Sequence, residues 1–164
     1  MSEIAEIRAR LQALEDQIAI YQIVCGYGYA MDGLNSEALG LLYAPDGVHL
    51  VPDAGGISMH GRDAVAGIAK LPGHIELIGS GCAHTSTLPH VVIDGDRASA
   101  TCHTIVLKHA GEGFKVWRSS ACRIELSRKP GGGWQIDQRE NHVLDGNPAG
   151  PQRLARFQEG PALA

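Results

Sequence analysis

The stretch Ala19-Ile20-Tyr21-Gln22-Ile23-Val24-Cys25-Gly26-Tyr27-Gly28-Tyr29-Ala30-Met31-Asp32 decides how this chain folds. It closes a helical pattern that begins near Ile4. Apolar residues recur at Ile4, Ile7, Leu11, Leu14, Ile18, Tyr21 and Cys25, in the alternating steps of three and four that one helix face requires. Two further steps, through Gly28, lead to Asp32. The pattern predicts one helix over residues 3–32, with this row turned to the core and a carboxylate at its inner end. An ionised carboxylate is costly to bury unless something pairs with it, so Asp32 needs a partner elsewhere in the chain. After Ala19 a second apolar row, Ile20, Val24 and Tyr27, joins the first, and the last turns read as buried nearly all round. Gly26 and Gly28, each costing roughly 1 kcal/mol inside a helix, signal close packing there.

Outward from this helix the chain punctuates itself. Asp32-Gly33 ends the helix, Asn35-Ser36 caps a short one over residues 37–43, and Pro45 stops it. Residues 48–51 suit a short strand. Gly61-Arg62-Asp63 leads into a third helix over 64–71, stopped by Pro72-Gly73. Then the character becomes β: strands over 82–93, 97–109, 114–128 and 134–143, separated by Asp94-Gly95-Asp96, Gly111-Glu112-Gly113 and a Pro130-triple-glycine turn. Past Asp145 a Gly- and Pro-rich tail holds one helical scrap, 152–157. Three helices followed by an antiparallel meander make an α+β layout, the long helix lying across a curved sheet. With no internal repeat and no linker, residues 1–145 read as one domain. Residues 146–164 form a tail that covers either a pocket or a neighbouring subunit.

Composition narrows the function classes. A net charge of −4 over 164 residues, without a basic run, gives no footprint for nucleic acid. No apolar stretch approaches the ~20 residues that span a bilayer, and the charged start is not a signal peptide. Four isolated cysteines, Cys25, Cys82, Cys102 and Cys122, suit small buried residues in a reducing, cytoplasmic setting.

The chemistry-bearing residues fall at positions expected to be buried. His84 sits in the first long strand; His103 shares a strand face with Ile105, Leu107 and His109. Tyr27 and Asp32 are about 140° apart around the helix and flank one cavity, while Tyr29 and Asp32 are direct neighbours. If the helix caps the open end of the sheet, Asp32 can meet His84. A carboxylate accepting from one imidazole nitrogen fixes the tautomer and leaves the other nitrogen to move a proton near neutral pH. Tyr27 or Tyr29 could then donate to the oxygen of an enolate. A metal held by Asp32, His84 and His103 is the rival use of these groups, though no local ligand spacing supports it. His49, His60, His74, His90 and His142 read as structural or solvent-facing. Ser119-Ser120 and Cys102 lack the surroundings of a nucleophile, and Gly131-Gly132-Gly133 precedes a strand, as a hairpin turn does and a phosphate loop does not.

These residues resemble a known family. The runs Leu14-Glu15-Asp16-Gln17-Ile18-Ala19-Ile20, Tyr27, Asp32, Glu37-Ala38-Leu39 and Tyr43-Ala44-Pro45-Asp46-Gly47 resemble the opening of SnoaL-like proteins of the nuclear-transport-factor-two-like superfamily. Gly61-Arg62-Asp63-Ala64, Asp94-Gly95-Asp96-Arg97-Ala98 and Gly133-Trp134-Gln135-Ile136 are similar to later landmarks of that family, in the same order. The resemblance implies an α+β cone: a curved mixed or antiparallel sheet wrapped around a long N-terminal helix and two shorter ones, a cystatin-like fold with a pocket inside. It also implies a homodimer or homotrimer packed through the sheet. Members include scytalone dehydratase, bile-acid dehydratase and hexachlorocyclohexane dehydrochlorinase, which use an Asp at the end of the long helix with a His on a strand. Asp32 and His84 match those positions, Tyr27 matches the helix tyrosine of the bile-acid enzyme, and the His103 to His109 spacing looks like that of scytalone dehydratase.

The resemblance thus implies a lyase or isomerase, dehydratase-like, that needs no cofactor and no metal and acts on a small, largely apolar cyclic compound. His84 would be the general base and Asp32 its orienting partner. Tyr27 and His103 would bind the oxygen that gathers charge, with Tyr29 and Asn141 shaping the substrate site. The same superfamily contains non-catalytic domains, so a small-molecule-binding or assembly role stays open. An Asp32–His84 bond in an open pocket favours the enzyme; a filled cone favours the binder.

Overall fold

The long N-terminal helix, α1 (Glu3–Asp32), runs from a Ser2 cap, whose hydroxyl accepts from the Ala5 amide, to Gly33. The computed structural model describes residues 2–53 and 55–162. Apolar periodicity located α1 but assigned its faces wrongly. The row Ile4, Ile7, Leu11, Leu14 and Ile18 is exposed, and Cys25 with it. The buried face is the second row, Ile20, Val24, Tyr27 and Met31, together with Asp16 and Gly28. Ile18 and Ile20 point about 200° apart at 100° per residue, so the two rows lie on opposite sides of the helix. The sheet took the row that begins where the helix reaches it.

Asn35 caps α2 (Ser36–Leu41), its side chain accepting from the Ala38 amide at 2.9 Å. Instead of a longer helix ended by Pro45, a strand follows at once: β1 (Tyr43–Val51), with Pro45 in an irregularity between Tyr43 and Val48. β2 (Ile57–His60), not foreseen from sequence, pairs with β1. Helix α3 (Arg62–Gly67) starts at Gly61, whose φ of +87° suits glycine, and continues as a 3-10 turn, Ile68–Lys70. Pro72 does not stop a helix but starts one, α4 (Pro72–Gly79), at the first position, where its missing N–H costs nothing.

The expected strand over 82–93 is two: β3 (Cys82–Ser86) and β4 (His90–Asp94), broken at Thr87-Leu88-Pro89. They pair with opposite ends of β5 (Arg97–Ala110). Then come β6 (Gly113–Arg128), β7 (Trp134–Val143) and α5 (Ala149–Ala155). The strand order is β2-β1-β7-β6-β5-β3, with β4 also on β5. Among the described residues only β1 and β7 run parallel, so the sheet is mixed; it is curved and does not close. Ala98, Ala100 and Cys102 of β5, and Cys122, Ile124 and Leu126 of β6, meet Ile20, Val24 and Tyr27 of α1 on its inner face. On its outer face lies the tail: Arg123 donates to the carbonyls of Arg156, Glu159 and Gly160, and Ser99 donates to that of Glu159. The tail therefore covers its own sheet, on the side away from the inner cavity; its last two residues lie outside the described set. Among the described residues no helix is long and apolar enough to cross a membrane.

Candidate active site

Two anchors hold α1 against the sheet, one at each end of its packed half. At Asp16 the carboxylate accepts from both terminal nitrogens of Arg128, at 2.9 Å each, and from Trp134 Nε1 at 3.0 Å. The Arg128 bonds hold the Asp16 carboxyl down to about 2. At the other end Gly28 lies against β3 so closely that a Cβ there would sit 2.3 Å from the His84 carbonyl oxygen. Only glycine permits this approach. One turn later Asp32 reaches across the same gap. Its Oδ1 is 2.6 Å from His84 Nδ1, and its Oδ2 accepts from the His84 backbone N–H at 2.8 Å.

The carboxylate thus grips both the ring and the backbone of His84. With Nδ1–H donated to Asp32, Nε2 is the basic nitrogen. Burial pushes the His84 pKa below its ordinary 6.5, although Asp32 opposes this, so the ring is neutral at pH 7. Behind it stands His74 of α4, its ring centre 5.5 Å away and its Nε2 3.0 Å from the Met31 carbonyl.

His84 borders a cavity inside the cone, with Tyr27, His49, Thr104, Arg118, Arg139 and Asn141 among its lining. Its volume is about 30 Å³, roughly one water's share of liquid. Larger clefts lie elsewhere; one of about 570 Å³, between α5 and the outer face of β7, contains neither Asp32 nor His84. Arg139 is fully buried, its guanidinium 3.9 Å over the Tyr27 ring, and neither Nε nor Nη1 finds a partner. His49 is held between two tyrosines: Nδ1 is 3.1 Å from the Tyr43 hydroxyl and Nε2 3.5 Å from that of Tyr27. Burial, with the Arg139 and Arg118 charges, pushes the His49 pKa down to about 3. Burial also raises that of Tyr27, which keeps its proton to donate. Such a site can abstract a proton at one wall and stabilise a developing oxyanion at the other.

The profile of the SnoaL-like domain family matches residues 12–140. The chain belongs to the SnoaL-like family. Among solved structures, this SnoaL-like chain is similar to an NTF2-like protein with a cystatin-like fold from Novosphingobium aromaticivorans. The two are 35% identical, with a TM-score of 0.88, over 94% of this chain and 98% of that one. It also shares its fold with a Catenulispora acidiphila protein in complex with S-DNPA (23% identity, TM-score 0.66, 84% of this chain and 98% of that one). A Mycobacterium tuberculosis protein of unknown function is a third (21% identity, TM-score 0.67, 80% and 79%). No curated protein sequence matches.

Within this SnoaL-like domain, the residues expected at the site separate into two groups. Asp32 and His84 are bonded, and Tyr27 and Asn141 line the cavity, Asn141 accepting from the Thr104 hydroxyl at 3.1 Å. His103 and Tyr29 do not join them. His103 is exposed, because the inward positions of β5 are Cys102 and Thr104's neighbour Val106, which puts His103 on the opposite face. His109 is exposed as well. Tyr29 is 76% exposed, since the neighbour of Asp32 along the helix points out beside the Ile18 row. The alternative metal set of Asp32, His84 and His103 is therefore not assembled. Among the described residues, the third donor near Asp32 and His84 is Cys82, all within 4.8 Å.

Sequence reasoning missed His49, His74, Arg118 and Arg139. For His49 and Arg139 a signal existed: each shares the inward parity of its strand, Val51 with His49 and Asn141 with Arg139. His74 lies on a helix that was not foreseen.

Proposed function

We propose that this protein is an acid–base lyase or isomerase, dehydratase-like and independent of any cofactor, acting on a small ring compound that carries a carbonyl oxygen. The observation that carries this reading is the double grip of Asp32 on His84, at 2.6 and 2.8 Å, beside a cavity bordered by the buried Arg139 guanidinium, two of whose nitrogens have no partner among the described residues. His84 Nε2 takes a proton from the carbon next to the carbonyl. The electron pair moves onto the carbonyl oxygen, and the resulting enolate is held by Arg139 with the Tyr27 hydroxyl. The electrons then return: the imidazolium protonates a departing hydroxyl, released as water, or protonates another carbon, completing an isomerisation. Asp32 keeps the ring in its tautomer and stabilises the imidazolium without itself taking the proton. A buried cation without a carboxylate is expensive, and a substrate oxygen bearing negative charge offsets that cost.

The test offers small cyclic ketones and hydroxyketones to the protein in D2O and follows deuterium uptake or loss of water by NMR. His84→Gln should reduce turnover at least a thousandfold while the circular-dichroism spectrum and oligomeric state stay unchanged. Undiminished turnover in that variant ends the reading. The small cavity favours a second one, a binding domain without chemistry. Saturable binding of such a compound without any exchange by the unaltered protein would select it.

A further inference from the structure

The first half of α1 makes no use of its apolar row. Residues 2–15 are all exposed, and the helix extends about 20 Å at 1.5 Å per residue before Asp16 touches the body. Isolated helices of this length are marginal in water, so an unaided one would fray. Yet the row of Ile4, Ile7, Leu11, Leu14, Ile18 and Tyr21 steps by 3, 4, 3, 4 and 3, a period of 3.5. That is the period of a left-handed coiled-coil seam, not of a helix lying on a sheet. Ile4, Leu11 and Ile18 take the first core position of each heptad, and Ile7, Leu14 and Tyr21 the second.

The charges beside this seam decide who the partner is. Glu3 and Arg10 fall on one flank of the seam, and Arg8 and Glu15 on the other. In a parallel, in-register pair each first-flank residue faces the second-flank residue five positions on in the other chain. Glu3 then meets Arg8 of the partner subunit, and Arg10 meets Glu15 of the partner subunit. Each contact is attractive and occurs twice by symmetry. The seam also faces away from the residues α1 buries against its own sheet, so the body does not obstruct it.

We infer that a second copy of this chain packs along Ile4–Tyr21 as a parallel coiled coil. This contact is built on the helix, on a surface distinct from the outer face of the sheet, part of which the tail occupies.

Sedimentation of the full chain tests this with two exposed-site variants, Arg8→Glu/Glu15→Arg and Glu3→Arg/Arg10→Glu. Each by itself should self-associate at least tenfold more weakly than the unaltered protein, because both facing pairs become like-charged. An equimolar mixture of the two should recover the dimer, because every facing pair is again opposite. A monomeric unaltered protein overturns the inference. So does full self-association of either variant alone, which places the contact elsewhere, for instance at the exposed Phe114, Val116 and Trp117 of the β5–β6 hairpin. So does a mixture that fails to re-form the dimer.

Discussion

The two halves of α1 are continuous in backbone and opposite in fate. From Ser2 to Glu15 every residue is exposed; from Asp16 on, each turn buries at least one residue. Both halves carry apolar rows at helical spacing. The difference shows that periodicity reports a face that avoids water, not which surface covers it. In the second half the covering surface is the chain's own sheet, and the reach of Asp32 depends on it. In the first half nothing among the described residues covers the row.

The largest effects should come from breaking the packed half. Ile20→Ala removes a fully buried side chain from between α1, β5 and β6 and should cost about 3–4 kcal/mol of stability, read from urea denaturation. Gly28→Ala acts by insertion instead. The added methyl would overlap the His84 carbonyl, so α1 must lift from β3. We expect a loss of about 2–3 kcal/mol together with loss of turnover, because the same displacement pulls Asp32 off His84. A Gly28→Ala protein of unchanged stability would mean that the close approach does not position the carboxylate.

Asp16→Asn should cost about 2 kcal/mol, since it removes the charge that Arg128 and Trp134 share. It also alters the acid response in a defined window. The Asp16 carboxyl titrates lower in the fold than in the unfolded chain, so its stabilisation is complete above about pH 4 and is lost as the pH falls towards 2. His49 acts earlier. Its folded value of about 3 lies below the ordinary 6.5, so on acidification the unfolded chain takes the proton first and stability falls from pH 6.5 downwards. At pH 5 that loss is about 2 kcal/mol. Melting curves between pH 7.5 and 5 should therefore be steeper for the unaltered protein than for His49→Gln, and equal slopes would contradict the burial of a neutral ring. Catalysis has its own limb. The base form of His84 should persist below pH 6.5, and Asp32→Asn, which removes the group that raises the pKa, should move the acid limb of kcat/KM lower still while lowering the plateau.

How far these features could be read in advance depended on what kind of signal each residue carries. The helix 3–32, the Asn35 cap and the last three strands follow from periodicity, capping and turn chemistry, all local properties. The meeting of Asp32 with His84 is not local. From the residues alone His84 was one partner among several for Asp32, and the family resemblance made it the expected one; Gly28, which signalled only close packing, proved to be where β3 touches. His103 misled because strand parity needs one fixed reference residue, and the break at Thr87–Pro89 and the bulge near Val106 had removed it. Arg139 was hidden for a different reason. An arginine in a strand ordinarily faces water, and no sequence rule marks one that is buried without a carboxylate.

The smallest expected effect is the sharpest test of the comparison. Ile18 and Ile20 are the same residue type two positions apart on one helix, the first 57% exposed and the second fully buried. Truncating Ile20 leaves a cavity under the sheet. Truncating Ile18 removes surface that water already touches, so at a concentration low enough for sedimentation to show a monomer, Ile18→Ala should shift stability by no more than about 0.5 kcal/mol. Raising the concentration should separate the two variants further. The unaltered protein gains stability by mass action as chains pair along the seam, and Ile18→Ala gains less. A melting temperature independent of concentration in both proteins would leave the row without a partner. A large loss for Ile18→Ala at low concentration would mean instead that the exposed half is held by its own chain.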